Sequence, residues 1–256
     1  MTNKVAAVTG GASGIGEACA RELARQGHIV AVLDRNLEGA ERVASEIGGR
    51  AYGIDVGDEH DVERVVAAIE SELGPVLALV NSAGLLQVPV RPAELAMSTF
   101  DEIVRVNQRG LYLCCVAFGH RMVARREGAI VNISSVNGLM GLGEEAYGAA
   151  KAGMVNLTQN TAIRYGEFNV RANCIAPGTV DTPIWNERKA VNPNVMQELA
   201  AWYPLGRVGQ PDYIANAALF LVSDAASWIT GVVLPVDGGL TAGLFRMAKD
   251  LSPEQE

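Results

Sequence analysis

Positive charge is scarce in this chain: 21 Lys and Arg stand against 29 Asp and Glu over 256 residues, a formal net charge of −8. Nucleic acid demands a basic footprint for its phosphates, so it is not an expected partner. Long apolar runs are missing too; none reaches membrane-spanning length, and no membrane association is expected. The apolar stretch in the opening MTNKVAAVTGG is too short for a signal peptide and leads straight into structure, which points to the cytoplasm. His28, His60 and His120 are too scattered for a metal site. Cys19, Cys114, Cys115 and Cys174 lack metal or redox spacing and read as reduced, buried thiols.

What is present is an ordinary globular composition, 49% hydrophobic and 20% charged, long enough for one large α/β domain spanning 1–256. KVAAVT (4–9) is a short apolar run of the kind a doubly covered strand needs. GGASGIG follows, then a helical stripe of Ile15, Cys19 and Leu23. HIVAVLDRN is a second strand, and Leu37, Ala40, Val43, Ala44 and Ile47 mark a helix stopped by Gly48-Gly49. RAYGID is a third strand. Asp58 caps a helix striped by Val62, Val65, Val66, Ile69 and Leu73, and VLALVNSAG is a fourth strand with its turn. Polarity rises at 87–102 ahead of a long helix running to about Arg126. GAIVNISS, NVRANCIAPG and VVLPVDGG complete seven strands. Strands alternating with helices, without repeat or linker, predict a parallel sheet of βαβ units.

Three stretches carry chemistry. A glycine turn between strand and helix, with Gly10, Gly14 and Gly16, lets backbone approach a pyrophosphate at a helix N-terminus. The bland reading, a tight turn, explains three such glycines poorly. Asp34 ends the second strand, where a carboxylate can accept from ribose hydroxyls and repel a 2′-phosphate. The alternative is an ordinary turn or cap residue. Arg35 could instead welcome a phosphate; Ser13 in the turn supplies no second cation, so NAD is the expected cofactor. Tyr147 and Lys151 stand four apart, one helical turn, and an ammonium beside a phenol favours the phenolate. Alone, that spacing is more often a solvated helix face. Ser135, at the end of the fifth strand, could donate to a substrate oxygen.

Together these residues resemble the short-chain dehydrogenase/reductase family over roughly 4–240. TGGASGIG matches its cofactor turn, NSAG (81–84) its Asn-Asn-Ala-Gly, and Asn107, Ser135, Tyr147 and Lys151 its catalytic tetrad. The resemblance implies a Rossmann-type, doubly wound α/β sandwich around a seven-stranded parallel sheet. It implies NAD held by Gly10, Ser13, Gly14, Ile15, Gly16, Asp34 and Arg35, with Asp55 and Val56 at the adenine. Asn81, Ala83, Gly84, Tyr147 and Lys151 belong to the same set, with Pro177, Gly178, Val180 and Thr182 at the nicotinamide end. Ser135 would orient the substrate oxygen, and Tyr147 would pass the proton. Lys151 would lower the Tyr147 pKa and hold the ribose, and Asn107 would keep a relay water. Ser82 departs from the family's second Asn, so a structural change with intact chemistry is expected there. The interval from Ser135 to Tyr147 is one residue short of the family's usual spacing. Ser135 rather than Ser134 is preferred because it lies three residues before Gly138.

The implied activity is hydride transfer between NAD(H) and a secondary alcohol or ketone. A reductase of 3-oxoacyl thioesters is the near alternative, and a non-catalytic dinucleotide sensor a more distant one. Ser135, Asn137 and Tyr147 are expected at the substrate. Leu139, Met140 and Leu142 suggest an apolar wall, while Glu144 and Glu145 read as a solvated loop. Residues 184–207 lie in an aperiodic, aromatic-bearing stretch and are expected to form a mobile lid. The polar tail from about 244 is expected to fray. Leu111, Tyr112, Val116, Phe118, Met154, Leu157 and Ile163 are expected to supply a tetramer interface, as the resemblance implies.

Overall fold

A computed structural model describes residues 4–87, 91 and 94–251. Val5–Thr9 (β1) is buried at every position, as a parallel strand covered on both faces must be. It is followed by Gly14–Arg25 (α1), Ile29–Asp34 (β2), Leu37–Ile47 (α2), Arg50–Gly53 (β3), Glu59–Leu73 (α3) and Val76–Asn81 (β4). The two expected starts are capped locally: Asn36 accepts from Gly39 N–H at 3.2 Å and Asp58 from Asp61 N–H at 2.9 Å. Gly48 closes α2 in the left-handed region, at φ 68°.

Met97–Val104 (α4), Leu111–Arg125 (α5), Gly128–Ile133 (β5), Glu145–Tyr165 (α6), Val170–Pro177 (β6), Pro211–Val222 (α9) and Val233–Val236 (β7) complete the sandwich. The seven strands are ordered β3-β2-β1-β4-β5-β6-β7, all parallel. The doubly wound sheet predicted from the sequence is therefore the fold. Buried stripes of α1, α2 and α9 cover one face, and those of α3, α5 and α6 the other. Because β1 pairs with both β2 and β4, the chain winds outward in opposite directions from it. That switch point opens a crevice beyond the carboxyl ends of the strands.

The structure differs from the sequence reading in four places. The long helix expected to reach Arg126 is interrupted by a π-helical turn, Arg105–Gly110, between α4 and α5. A π turn is a change of backbone hydrogen bonding over a few residues, too local for apolar spacing to reveal. Part of the loop expected at 87–102 lies outside the described residues. The aperiodic stretch after β6 contains two short helices, Asn186–Val191 (α7) and Val195–Ala200 (α8). The tail forms a helix, Phe245–Leu251 (α10), and its last five residues lie outside the described ones. Finally, Leu111, Phe118 and Met154 are buried within the protomer's own core, leaving Tyr112 and Ile163 exposed from the proposed interface.

Candidate active site

The crevice is a cavity of about 940 Å³ running from the glycine turn to α6. Its first wall is built by glycines that no other residue could replace. Gly10 sits at φ +69°, and a Cβ there would lie 2.8 Å from the Ala83 backbone; a Cβ on Gly16 would lie 2.1 Å from Gly10 O. Ser13 precedes α1 without a side-chain cap, so the first turn offers its N–H groups to the cavity's own ligand. Thr9 Oγ1 accepts from the N–H groups of Ser82 and Ala83 at 3.1 and 3.2 Å, tying the turn after β4 to β1. These features suit a dinucleotide pyrophosphate.

Asp34 reaches the cavity from the end of β2. Its Oδ2 accepts from Ala12 N–H at 3.1 Å and its Oδ1 from Asn36 N–H at 2.9 Å, which holds the carboxylate still. Arg35 lines the same region. Asp55, just past β3, pairs with Arg105 at 3.0 Å beside Val56.

At the other end α6 presents Tyr147 and Lys151, both buried. Lys151 Nζ donates to Ile133 O at 2.9 Å and lies 5.5 Å from the Tyr147 ring centroid. Burial holds the ammonium down, to about 8, and pushes the phenol up to about 12, with the Ser135 hydroxyl pulling it back and the Glu144 charge adding to the rise. Desolvation dominates the phenol, so in this state its pKa lies above the ordinary tyrosine value with the ammonium nearby. Ser134 donates to Lys151 O at 2.8 Å and is spent on holding α6. Ser135 accepts from Asn137 N–H at 3.1 Å and stands beside the phenol. Gly138 lets that loop touch α6, since a Cβ would meet the Lys151 carbonyl at 2.8 Å.

Leu139, expected with Met140 and Leu142 in an apolar wall, is exposed outside the cavity; all but two of the other residues expected at the site line it, Ile15, Gly84, Pro177, Gly178, Val180 and Thr182 among them. Asn81 does not. It lies inside the sheet, donating to Asn132 Oδ1 at 2.9 Å, because its position on β4 points across to β5. Asn107 is likewise behind the wall, in the π turn and fully buried. Its carboxamide accepts from Leu85 N–H and donates to Leu85 O, both at 2.8 Å, backing Gly84.

Four features escaped the sequence reading. Gln87, 1% exposed, accepts from Ala146 N–H at 2.9 Å and caps α6 from 59 residues away. Glu144 is not a solvated loop residue; it lines the cavity, accepts from Asn137 Nδ2 at 3.2 Å and pairs with Arg188 at 3.4 Å. Tyr203 is buried, and its hydroxyl accepts from Thr179 N–H at 2.7 Å. The start of α10, with Phe245 and Arg246, closes the cavity. Only Gln87 and Glu144 lie near an identifiable motif, and neither residue type signals its distant partner.

The chain is similar to known proteins over most of its length. Residues 10–241 match the family model described as enoyl-(acyl carrier protein) reductase. A cis-4-hydroxycyclohexanecarboxylate dehydrogenase of Sinomonas cyclohexanicum is 40% identical over 94% of this chain and 98% of that one. A solved oxidoreductase of the short-chain dehydrogenase/reductase family from Burkholderia thailandensis is 40% identical with a TM-score of 0.93, covering 100% of this chain and 99% of its own. The structure of ElxO with NADP bound is 28% identical with a TM-score of 0.89, over 94% and 100% of the two chains.

Proposed function

The chain belongs to the short-chain dehydrogenase/reductase family, and from that premise we propose that it is an NAD-dependent dehydrogenase of secondary alcohols, working reversibly on the corresponding ketones. One observation carries the reading: a single cavity holds the glycine turn and Asp34 at one end and Ser135, Tyr147 and Lys151 at the other. When bound, the nicotinamide supplies the hydride acceptor or donor. The turn from Gly10 to Gly16 would hold the pyrophosphate, Asp34 the ribose hydroxyls, and the Pro177–Thr182 segment the nicotinamide end.

In this reading Ser135 donates a hydrogen bond to the substrate oxygen and orients it against Tyr147. Tyr147 gives its proton to a ketone oxygen or takes one from an alcohol. With its pKa near 12 the phenol is protonated at neutral pH, ready to donate, and oxidation should gain rate as pH rises. Lys151 adds positive charge beside the ring, and Asn107 fixes Gly84 and Leu85 next to it. Residues 184–207 act as a lid, the assembly is a homotetramer, and the location is cytoplasmic.

A second reading, a 3-oxoacyl-thioester reductase using NADP, is favoured by Arg35 in the cavity wall and by similarity to a 3-oxoacyl-[acyl-carrier-protein] reductase of Chlamydia trachomatis, 38% identical over 94% of this chain. Measuring kcat/KM with NAD and NADP on secondary alcohols and on a 3-oxoacyl thioester separates them. The charge-assisted bonds of Asp34, with repulsion of a 2′-phosphate, should give NAD about a 100-fold advantage. Asp34→Ser should narrow it sharply. Tyr147→Phe should abolish turnover while leaving dinucleotide binding nearly intact; retention of more than a few per cent of the rate removes Tyr147 from proton transfer. A preference for NADP hands the assignment to the reductase.

A further inference from the structure

Two guanidinium groups line the cavity and take no part in the chemistry above. Arg188, on α7, lies with Cζ 4.8 Å from the Trp185 ring centroid, and Arg246, on α10, lies 4.7 Å from that of Trp202. All four side chains border the cavity. Stacking on an indole fixes the plane of a guanidinium and leaves its N–H edge free to meet an acceptor. The Nη2 of Arg188 makes two long contacts, 3.4 Å to Gln87 O and 3.4 Å to Glu144 Oε1. Among the described residues its other nitrogens, and all of those of Arg246, meet no protein acceptor.

The charges do not cancel. Asp34, Arg35 and Asp55 stand at the far end, and Lys151 is held by Ile133 O. That leaves Glu144 as the acid facing two arginines, an excess of positive charge in a chain of net charge −8. Met140, Leu142 and the two tryptophans make the intervening wall apolar. We infer that Arg188 and Arg246 receive a carboxylate borne by the substrate, so that the enzyme acts on a hydroxy acid or oxo acid whose reacting carbon is separated from its carboxylate by an apolar body. The inference rests on the dehydrogenase reading for its reacting carbon, but the anion site stands on the two arginines alone. A neutral polyol would leave Arg246 without a counter-charge and Arg188 with the long Glu144 contact alone, and a cationic substrate would be repelled.

The test compares each secondary hydroxy acid with its methyl ester, on the wild type and on Arg188→Gln, Arg246→Gln and the double variant. Calorimetric titration with an unreactive saturated carboxylic acid reads the same site without turnover. The wild type should favour the acid at least tenfold in kcat/KM, chiefly through KM. Each substitution should cut the acid-to-ester ratio about tenfold, as expected for a charged hydrogen bond. Added salt should narrow the ratio. Arginine-dependent carboxylate binding with no turnover of any alcohol or ketone would keep the anion site and sink the dehydrogenase reading. Turnover of esters as fast as acids, with a ratio unmoved in the double variant, would sink the inference alone. So would an arginine-dependent rate seen with a 3-oxoacyl-CoA but not with free acids, which would give the site to a thioester's phosphate.

Discussion

Lys151 combines a proposed place in the chemistry with an unfavourable environment. It is 4% exposed, and burial lowers its pKa from 10.5 to about 8. A group whose folded pKa is depressed in this way must be held charged against its surroundings, at a cost of about 3 kcal/mol at neutral pH. Lys151→Met removes that cost but leaves the Ile133 carbonyl without its donor, about 1–3 kcal/mol in the other direction. The variant should therefore be inactive yet more stable, with Tm raised about 2–4 °C at pH 7. The sign with pH follows from linkage. Below about 8 both states carry the proton and the full penalty applies. Between 8 and 10.5 the unfolded chain binds the extra proton, so wild-type stability rises and the difference closes. Calorimetry at pH 7, 9 and 10.5 checks this, and a pH-independent difference would show that Lys151 is not strained by burial.

Among the elements, the segment after β6 has the most to reveal. Three residues past its second short helix comes Tyr203, whose ring edge packs on Gly178: a Cβ there would lie 2.9 Å from the ring. The hydroxyl accepts from Thr179 N–H at 2.7 Å, so the cover over the cavity is pinned to the segment proposed to hold the nicotinamide. Tyr203→Phe keeps the ring and removes the acceptor, at about 1–3 kcal/mol for the orphaned N–H. The expected result is a roughly tenfold rise in KM for the dinucleotide, with hydrogen exchange faster at 177–182 and a smaller change in kcat. An unchanged KM would confine Tyr203 to packing. The π turn is a comparable device: it holds Asn107, fully buried, onto Leu85.

At the scale of the molecule, the protomer leaves Tyr112 47% and Ile163 80% exposed on α5 and α6, the helices that cover one face of the sheet. The proposed homotetramer would bury them. Light scattering at micromolar concentration should give four times the 27.0 kDa protomer mass, and Ile163→Glu should shift the mass downward. A wild-type monomer ends the proposal. Among the described residues no helix is long and apolar enough to cross a membrane.

The order of strands and helices, the glycine turn and the Tyr147–Lys151 pair were legible in the sequence because each depends on spacing within a few residues. Apolar periodicity marks a covered strand or a helix stripe, and positive-φ glycines mark a turn, whatever lies elsewhere in the chain. What needed the tertiary structure was every feature decided by a distant partner. Ser134 and Ser135 are neighbours of one type, and only the approach of α6 commits the first to Lys151 O and leaves the second beside the phenol. Asn81 looks like a site residue by its motif, yet the sheet turns it toward Asn132. Gln87 on α6, Glu144 on Arg188 and Tyr203 on Thr179 unite segments that sequence spacing holds apart. Hydrogen bonds and ion pairs of that reach depend on where packing of the apolar faces brings the loops, and packing is a property of the folded chain alone.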